Sequence, residues 1–203
     1  MRTVTFLNCC CLLICIHLMS DSCCAIEVSS VEQLVAAVEQ GQEGESIVVA
    51  PGVYRLSAPL ELKTGMTLQG AGIEKTVITQ TDSWQPSTKT LPDPETKTKG
   101  LDMDAYLIRI QAKANKVTVS DLTLTGPKLH GAIFGIGNEN LHLHHLRIED
   151  FLWSGIRTFS MRQAQIHDCQ FVDAGGRWQR GGVPGVKGGI TGGAIFAIWM
   201  KVR

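Results

Sequence analysis

Arg157 is the residue of this chain whose position best suits chemistry. It lies in Ser154-Gly-Ile-Arg-Thr-Phe, which resembles two other segments, Gly131-Ala-Ile-Phe-Gly-Ile and Gly193-Ala-Ile-Phe-Ala-Ile. The three segments share an isoleucine at the third position, and we expect it to point into a core. Strand alternation would then send the fourth residue of each segment outward.

The outward column predicted in this way combines one cation with aromatic rings. Its fourth-position members are Phe134, Arg157 and Phe196, and sixth-position residues, including Phe159, flank them. Such a column must be covered by a loop or line a binding groove. Arg157 there could neutralise a carboxylate or act as a base, and the alternative is that its aliphatic stem only packs over its neighbours.

A second set of cations and aromatic residues lies in residues 175–193, which contain nine glycines. The members of this set are Arg177, Trp178, Arg180 and Lys187, and we add Trp153 as a further binding aromatic residue. Aromatic stacking on a sugar face and pairing of cations with carboxylates would suit an acidic sugar polymer. A long turn without a ligand is the alternative, and residues 81–104 form another excursion of the same kind.

Three further titratable residues are candidates for catalysis. Asp150 and Asp173 occupy equivalent positions of two repeats, where neighbouring carboxylates could bind calcium or divide the acid and nucleophile roles of glycoside hydrolysis. His130 directly precedes the Gly131 segment. Turn carboxylates without a catalytic role are the alternative for the two aspartates. Calcium is the one cofactor that this pattern admits.

Histidines also gather at repeat positions. His144 and His167 fall in register, His142 lies two residues away on the same face, and His145 occupies a turn position shared with Asp121 and Asp168. The spacing would permit a metal, but solvated histidines on a strand are the favoured interpretation, so we assign no metal ligands. The turn ladder is interpreted as structural.

These residues depend on a repeat that must position them. Copies of one unit begin at residues 117, 141 and 164, with offsets of 24 and 23 residues, and keep apolar residues at matching places such as Val119, Leu143 and Ile166. One such coil cannot bury its apolar face alone, whereas stacked coils can. The segments are rich in β-branched residues and cut by Gly, Asn or Asp, which predicts a β-solenoid.

The region before the repeat is expected to cap the stack. Ser29 or Ser30 can begin a short amphipathic helix that ends at Gly41, and short strands follow to residue 79. Residues 1–25 have the pattern of a secretory signal peptide, so we expect one β-helix domain over residues 26–203. Six of the seven cysteines lie in that leader and Cys169 remains, which excludes an internal disulfide.

Composition bounds the partners. The 203 residues carry a formal net charge of zero, which argues against nucleic-acid binding driven by bulk positive charge. The apolar run near the start is too short to span a bilayer comfortably, so we expect no stable membrane insertion. The predicted location is outside the cytoplasm, either secreted or in the periplasm or at the cell surface. The oligomeric state is left open.

The chain resembles the right-handed parallel β-helices of pectate-lyase-like proteins. The resemblance rests on a helix followed by a strand, the Ala50-Pro-Gly-Val-Tyr turn, and Thr67-Leu-Gln-Gly-Ala-Gly, together with the later coils. It implies an all-β, right-handed parallel β-helix with an N-terminal capping helix. Leu129-His130-Gly131 partly matches a polygalacturonase motif, and the other catalytic motifs of the family's pectate lyases and polygalacturonases are missing.

The resemblance implies an exported, carbohydrate-active protein. We expect it to bind an acidic polysaccharide and to cleave it by β-elimination or hydrolysis. The alternative is a non-catalytic extracellular binding or adhesion module of the same fold. Because the last repeat stops after half a coil, we also expect the chain to be a fragment or to pair with another subunit there.

Overall fold

The computed structural model describes residues 25–84, 105–152 and 154–174, and the backbone of 193–198. It contains one helix, α1 (Val31–Gln40), in those residues. The strands are β1 (Ile26–Val28), β2 (Ser46–Val49), β3 (Gly52–Leu56), β4 (Leu60–Leu62), β5 (Thr67–Gln69), β6 (Thr76–Gln80), β7 (Tyr106–Ile110), β8 (Thr118–Thr125), β9 (Gly131–Ile136), β10 (His142–Glu149), β11 (Ser154–Phe159), β12 (Gln165–His167), β13 (Gln170–Val172) and β14 (Gly193–Ile198).

All strand pairs are parallel and join successive coils, so the molecule is a parallel β-solenoid of about five turns. Face 1 consists of β1, β2, β5, the first halves of β8 and β10, and β12. Face 2 consists of β3, β6, the second halves of β8 and β10, and β13. Face 3 is the separate sheet β4–β7–β9–β11–β14. The prediction of a parallel β-helix is confirmed.

Left-handed backbone at the corners explains where the coils bend. The corner between faces 1 and 2 is occupied by Asp121, His145 and Asp168, with φ of 57°, 49° and 52°. Asp and His are among the residues that adopt this conformation more readily than others. The polar ladder predicted at this position is therefore structural, because it turns the chain from one face to the next.

The interior is a stack of apolar side chains in register. Val119 lies opposite Leu143, which lies opposite Ile166, and the first two are fully buried. Burying such a side chain contributes about 1.5–3 kcal/mol, and the column repeats in every coil. The predicted core positions are confirmed. Trp84 is also buried in this core, although its segment reads as a surface excursion.

Helix α1 covers the first coil as predicted. Ser30 is its N-cap and accepts a hydrogen bond from the Gln33 amide, while Leu34 and Val38 are buried. At the other end, the Lys63 ammonium donates to the Glu39 and Gly41 carbonyls at 3.0 and 2.6 Å. A cation there satisfies carbonyls that lack helical partners. Within the described ranges, no helix is long and apolar enough to cross a membrane.

Candidate functional site

The outer surface of face 3 contains the predicted column. Tyr106 also joins this column, because strand alternation is broken beside it. Tyr106 pairs with Gly131 and Ile108 with Ile133, but the residue between them is left out of the pairing. Leu107 packs into the main core, as does Ile108, so two consecutive side chains point inward. Tyr106 is thereby turned outward, where it joins Phe134 and Phe159 in a separate cluster.

The three rings form a continuous aromatic surface. The Tyr106 and Phe134 centroids are 5.1 Å apart, and the Phe134 and Phe159 centroids are 6.1 Å apart with an edge-on geometry. Gly131 makes room for this arrangement, because a Cβ there would lie 2.4 Å from the Tyr106 ring. Aromatic pairs of this kind add about 0.5–1.5 kcal/mol each beyond the area that they bury.

Arg157 lies in the same column, as the sequence predicts. Its backbone pairs with Phe134 on one side and Phe196 on the other. The guanidinium carbon is 4.8 Å from the centroid of the Phe159 ring, which is a cation–π contact. The residue is only 4% exposed, and the exposures of Tyr106, Phe134 and Phe159 are 0, 6 and 7%. The column is therefore covered rather than open to solvent.

Electrostatics keep the phenol of Tyr106 protonated. Burial raises the pKa of Tyr106 to about 12, while the nearby Arg157 guanidinium and Ser154 hydroxyl act to lower it. A neutral phenol beside a permanent cation can donate a proton or a hydrogen bond at neutral pH. The hydroxyls of Tyr106, Ser154 and Thr158 are buried, and Ser154 is the hydroxyl that interacts with the Tyr106 phenol. Buried hydroxyls with few partners cost stability, so three of them beside one guanidinium call for an explanation.

His130 lies beside this cluster along the ladder. Its amide donates to the Ala105 carbonyl at 2.9 Å, and its carbonyl accepts from the Ser154 amide at 2.9 Å. Tyr106, Gly131 and Ser154 pair with one another in neighbouring coils, and His130 directly precedes Gly131. The backbone brings His130 to the Tyr106 end of the column.

Asp150 and Asp173 lie at a different place, at the corner that follows face 2. Both have left-handed backbone, with φ of 63° and 48°, and the Asp150 amide donates to the Val172 carbonyl at 3.0 Å. They are brought together in adjacent coils, but residues 151 and 152 follow Asp150 before the chain reaches β11 and Arg157. Their conformation gives both a structural role in the turn.

Several predicted residues fall outside the described part of the chain. These are Trp153, Arg177, Trp178, Arg180 and Lys187, together with the side chain of Phe196. Among the residues that are described, no three or more His, Cys, Asp or Glu side chains are arranged to hold a metal ion. The assignments of these residues to binding, and of calcium to the Asp150 corner, stay predictions.

Sequence reasoning missed Tyr106, Ser154 and Thr158. Residues 81–104 separate Tyr106 from the preceding strand and hide the repeat spacing of its coil. The signal was nevertheless present, because Tyr106-Leu-Ile-Arg-Ile aligns Ile108 with Ile133 and Arg109 with Arg157. The outward turn of Tyr106 could not be read from this alignment, since it depends on the local break in alternation.

No protein-family model matches the chain, and no curated protein matches it. Among solved structures, an alginate lyase from Paenibacillus sp. superposes with a TM-score of 0.50 at 15% identity, over 71% of this chain and 43% of that one. The catalytic domain of a GH87 α-1,3-glucanase, solved with tetrasaccharides, superposes with a TM-score of 0.52 at 16% identity, over 77% and 31%. The chain thus spans less than half of either protein and shares their parallel β-helix fold.

Proposed function

We propose that the protein binds an acidic polysaccharide along the outer surface of face 3, with Arg157 as the residue that receives a uronate carboxylate. One observation carries the proposal: the Arg157 guanidinium lies on a surface made by Tyr106, Phe134 and Phe159. Aromatic rings stack on the apolar faces of sugars, and a guanidinium forms paired hydrogen bonds with a carboxylate. The combination favours a charged sugar over a neutral one.

The solved structures of the same fold are consistent with a polysaccharide ligand, acidic or neutral. One is an alginate lyase, and another is a glucanase domain in complex with tetrasaccharides. At identities of 15 and 16%, these structures show the fold alone, so the substrate must be argued from this chain's own residues. The proposal includes export, with residues 1–25 as the signal peptide, because extended acidic polysaccharides lie outside the cytoplasm.

The same geometry supports cleavage by β-elimination. Pairing the uronate carboxylate with Arg157 makes the neighbouring C–H more acidic, so that a base can remove its proton while the bond to the leaving oxygen breaks. Tyr106, neutral at physiological pH, would give its proton to that oxygen, and His130 at the same end of the column would be the base. Hydrolysis is the alternative reaction, and the products distinguish the two.

Burial of the column favours a second candidate. Arg157, Phe134 and Phe159 are each at most 7% exposed, so a polymer reaches them only when this face of the sheet becomes accessible. A non-catalytic extracellular module would use the same cluster as a support for its outer surface. In that case acidic polysaccharide would either bind without being cleaved or bind independently of Arg157.

The proposal is tested with a panel of uronate polymers and neutral polymers of similar length. Wild type is compared with Arg157→Met and with Arg109→Met, a matched control at the same repeat position that forms an exposed ion pair with Glu61. Binding, absorbance near about 235 nm and reducing ends are followed together. New absorbance identifies a lyase, reducing ends alone identify a hydrolase, and binding alone identifies the module. No binding to any acidic polymer would refute the proposal.

A further inference from the structure

The later coils of face 1 bring four histidines to one patch, in which two are exposed and two are half-buried. His142 and His144 project from β10 on either side of Leu143, which is fully buried, so both imidazoles share the outer surface. On the next coil His167 of β12 pairs in register with His144. His145 follows at the corner with a φ of 49°. We name these four residues the histidine patch.

Two of the imidazoles meet through their Nε2 atoms. The Nε2 atoms of His142 and His167 are 2.9 Å apart. With metal–nitrogen bonds of about 2.0–2.1 Å, two nitrogens at this separation subtend an angle of about 90° at a shared ion. That angle belongs to neighbouring positions of a square-planar or tetragonal centre and is narrower than the tetrahedral angle that zinc prefers.

The tautomer of His167 is set for metal binding by a carboxylate. Its Nδ1 lies 2.8 Å from Oδ2 of Asp168, so Nδ1 carries the proton and Nε2 has the lone pair that accepts from Nε2 of His142. A bound metal ion would replace this hydrogen bond, and the proton of His142 would move to its Nδ1. A carboxylate that orients a histidine in this way is the usual partner of a metal-binding imidazole.

The remaining histidines pack around this pair. The His144 ring stacks on His167 at 5.3 Å with an interplanar angle of 5°, and its Nδ1 lies 2.8 Å from Nδ1 of His145. The patch thus brings four imidazoles together, and imidazole in its neutral form is the commonest metal ligand in proteins.

We propose that His142 and His167 form a binding site for a divalent transition-metal ion, with Cu²⁺ as the preferred ion. The two imidazoles supply two coordination positions, and water would supply the others. Two imidazoles in a cis arrangement with oxygen ligands suit Cu²⁺, which also binds such sites most tightly among the first-row dications. The site lies on face 1, apart from the Arg157 column of face 3.

The test uses the purified chain without a histidine tag. We expect wild type to bind one Cu²⁺ per chain, with an electron paramagnetic resonance spectrum that shows coupling to two nitrogens. His142→Gln combined with His167→Gln removes both ligands and is expected to weaken binding at least about 100-fold. Asp168→Asn removes only the charge of the orienting carboxylate and is expected to weaken binding by about tenfold. Gln165→Ala is the matched control, because Gln165 is exposed on β12 and pairs with His142.

Circular dichroism and a denaturation midpoint for each variant separate loss of a ligand from loss of the fold. Titration in two buffers of different ionisation enthalpy reports the protons that Cu²⁺ displaces, and their number should fall in the double variant. Unchanged Cu²⁺ affinity in a folded double variant would overturn the proposal. Failure of the wild-type chain to bind Cu²⁺ saturably, or a spectrum without nitrogen coupling, would overturn it as well.

Discussion

Two outward columns of the same solenoid differ in solvent exposure. On face 3, Tyr106, Phe134 and Arg157 are almost completely buried, whereas the histidine patch on face 1 lies largely at the surface. Both columns arise because parallel coils place equivalent residues above one another. The repeat therefore fixes which residues meet, and the covering of each face decides what the column does. The buried column stabilises the fold and meets a ligand only when face 3 becomes accessible, while the exposed column is available to ions from solution.

The largest expected difference between the columns is in stability. Phe134→Ala should lower the free energy of unfolding by about 3–5 kcal/mol, because it removes a buried ring between two other rings. His144→Ala, the counterpart on face 1, should change it by about 0.5 kcal/mol or less. Urea denaturation of both variants measures this difference. Equal losses would show that the two columns are packed alike.

The corner of the histidine patch should depend on backbone conformation. His145 has a φ of 49°, which is strained for a β-branched residue. His145→Val is expected to destabilise the protein by about 1–2 kcal/mol, and His145→Asn should be close to neutral because Asn tolerates this region. Thermal melts of the pair provide the measurement. If Val and Asn behaved alike, the left-handed corner would not be present in solution.

At alkaline pH the buried column should lose stability. Because the folded pKa of Tyr106 is raised to about 12, the folded state holds its proton more tightly than the unfolded chain does. This contribution is complete below pH 10 and is lost as the pH rises toward 12, amounting to about 1 kcal/mol by pH 11. Tyr106→Phe should remove this dependence.

At acid pH the exposed column should lose a smaller amount. The pKa of His144 is lowered by burial and by neighbouring imidazoles, so the unfolded chain binds the proton more readily. Its contribution is complete above the unfolded value of about 6.5 and is lost as the pH falls through the folded value. Proton NMR should find His144 titrating below pH 6.5 in the folded protein. A titration at or above 6.5 would contradict the crowding of the patch.

The register of the coils could be predicted from the sequence, but the burial of their outer faces could not be decided from it. Matching apolar residues predicted that Val119 stacks on Leu143, and the third-position isoleucines predicted that Arg157 lies beside Phe134; both are confirmed. The sequence leaves two outcomes open for that column, a cover or a binding groove, and the burial of its residues decides for a cover. Tyr106 escaped notice because its place in the column depends on two consecutive inward residues, which strict alternation does not anticipate.

The most direct test of the central claim compares dissociation constants for one polyuronate across three proteins. The account predicts that Arg157→Met weakens binding by about 10- to 100-fold, in line with about 1.5–3 kcal/mol for a charged hydrogen bond, without lowering the melting temperature. Arg109→Met, which changes the same repeat position on an exposed part of face 3, should bind like wild type. Equal affinity of wild type and a folded Arg157→Met variant would contradict the account.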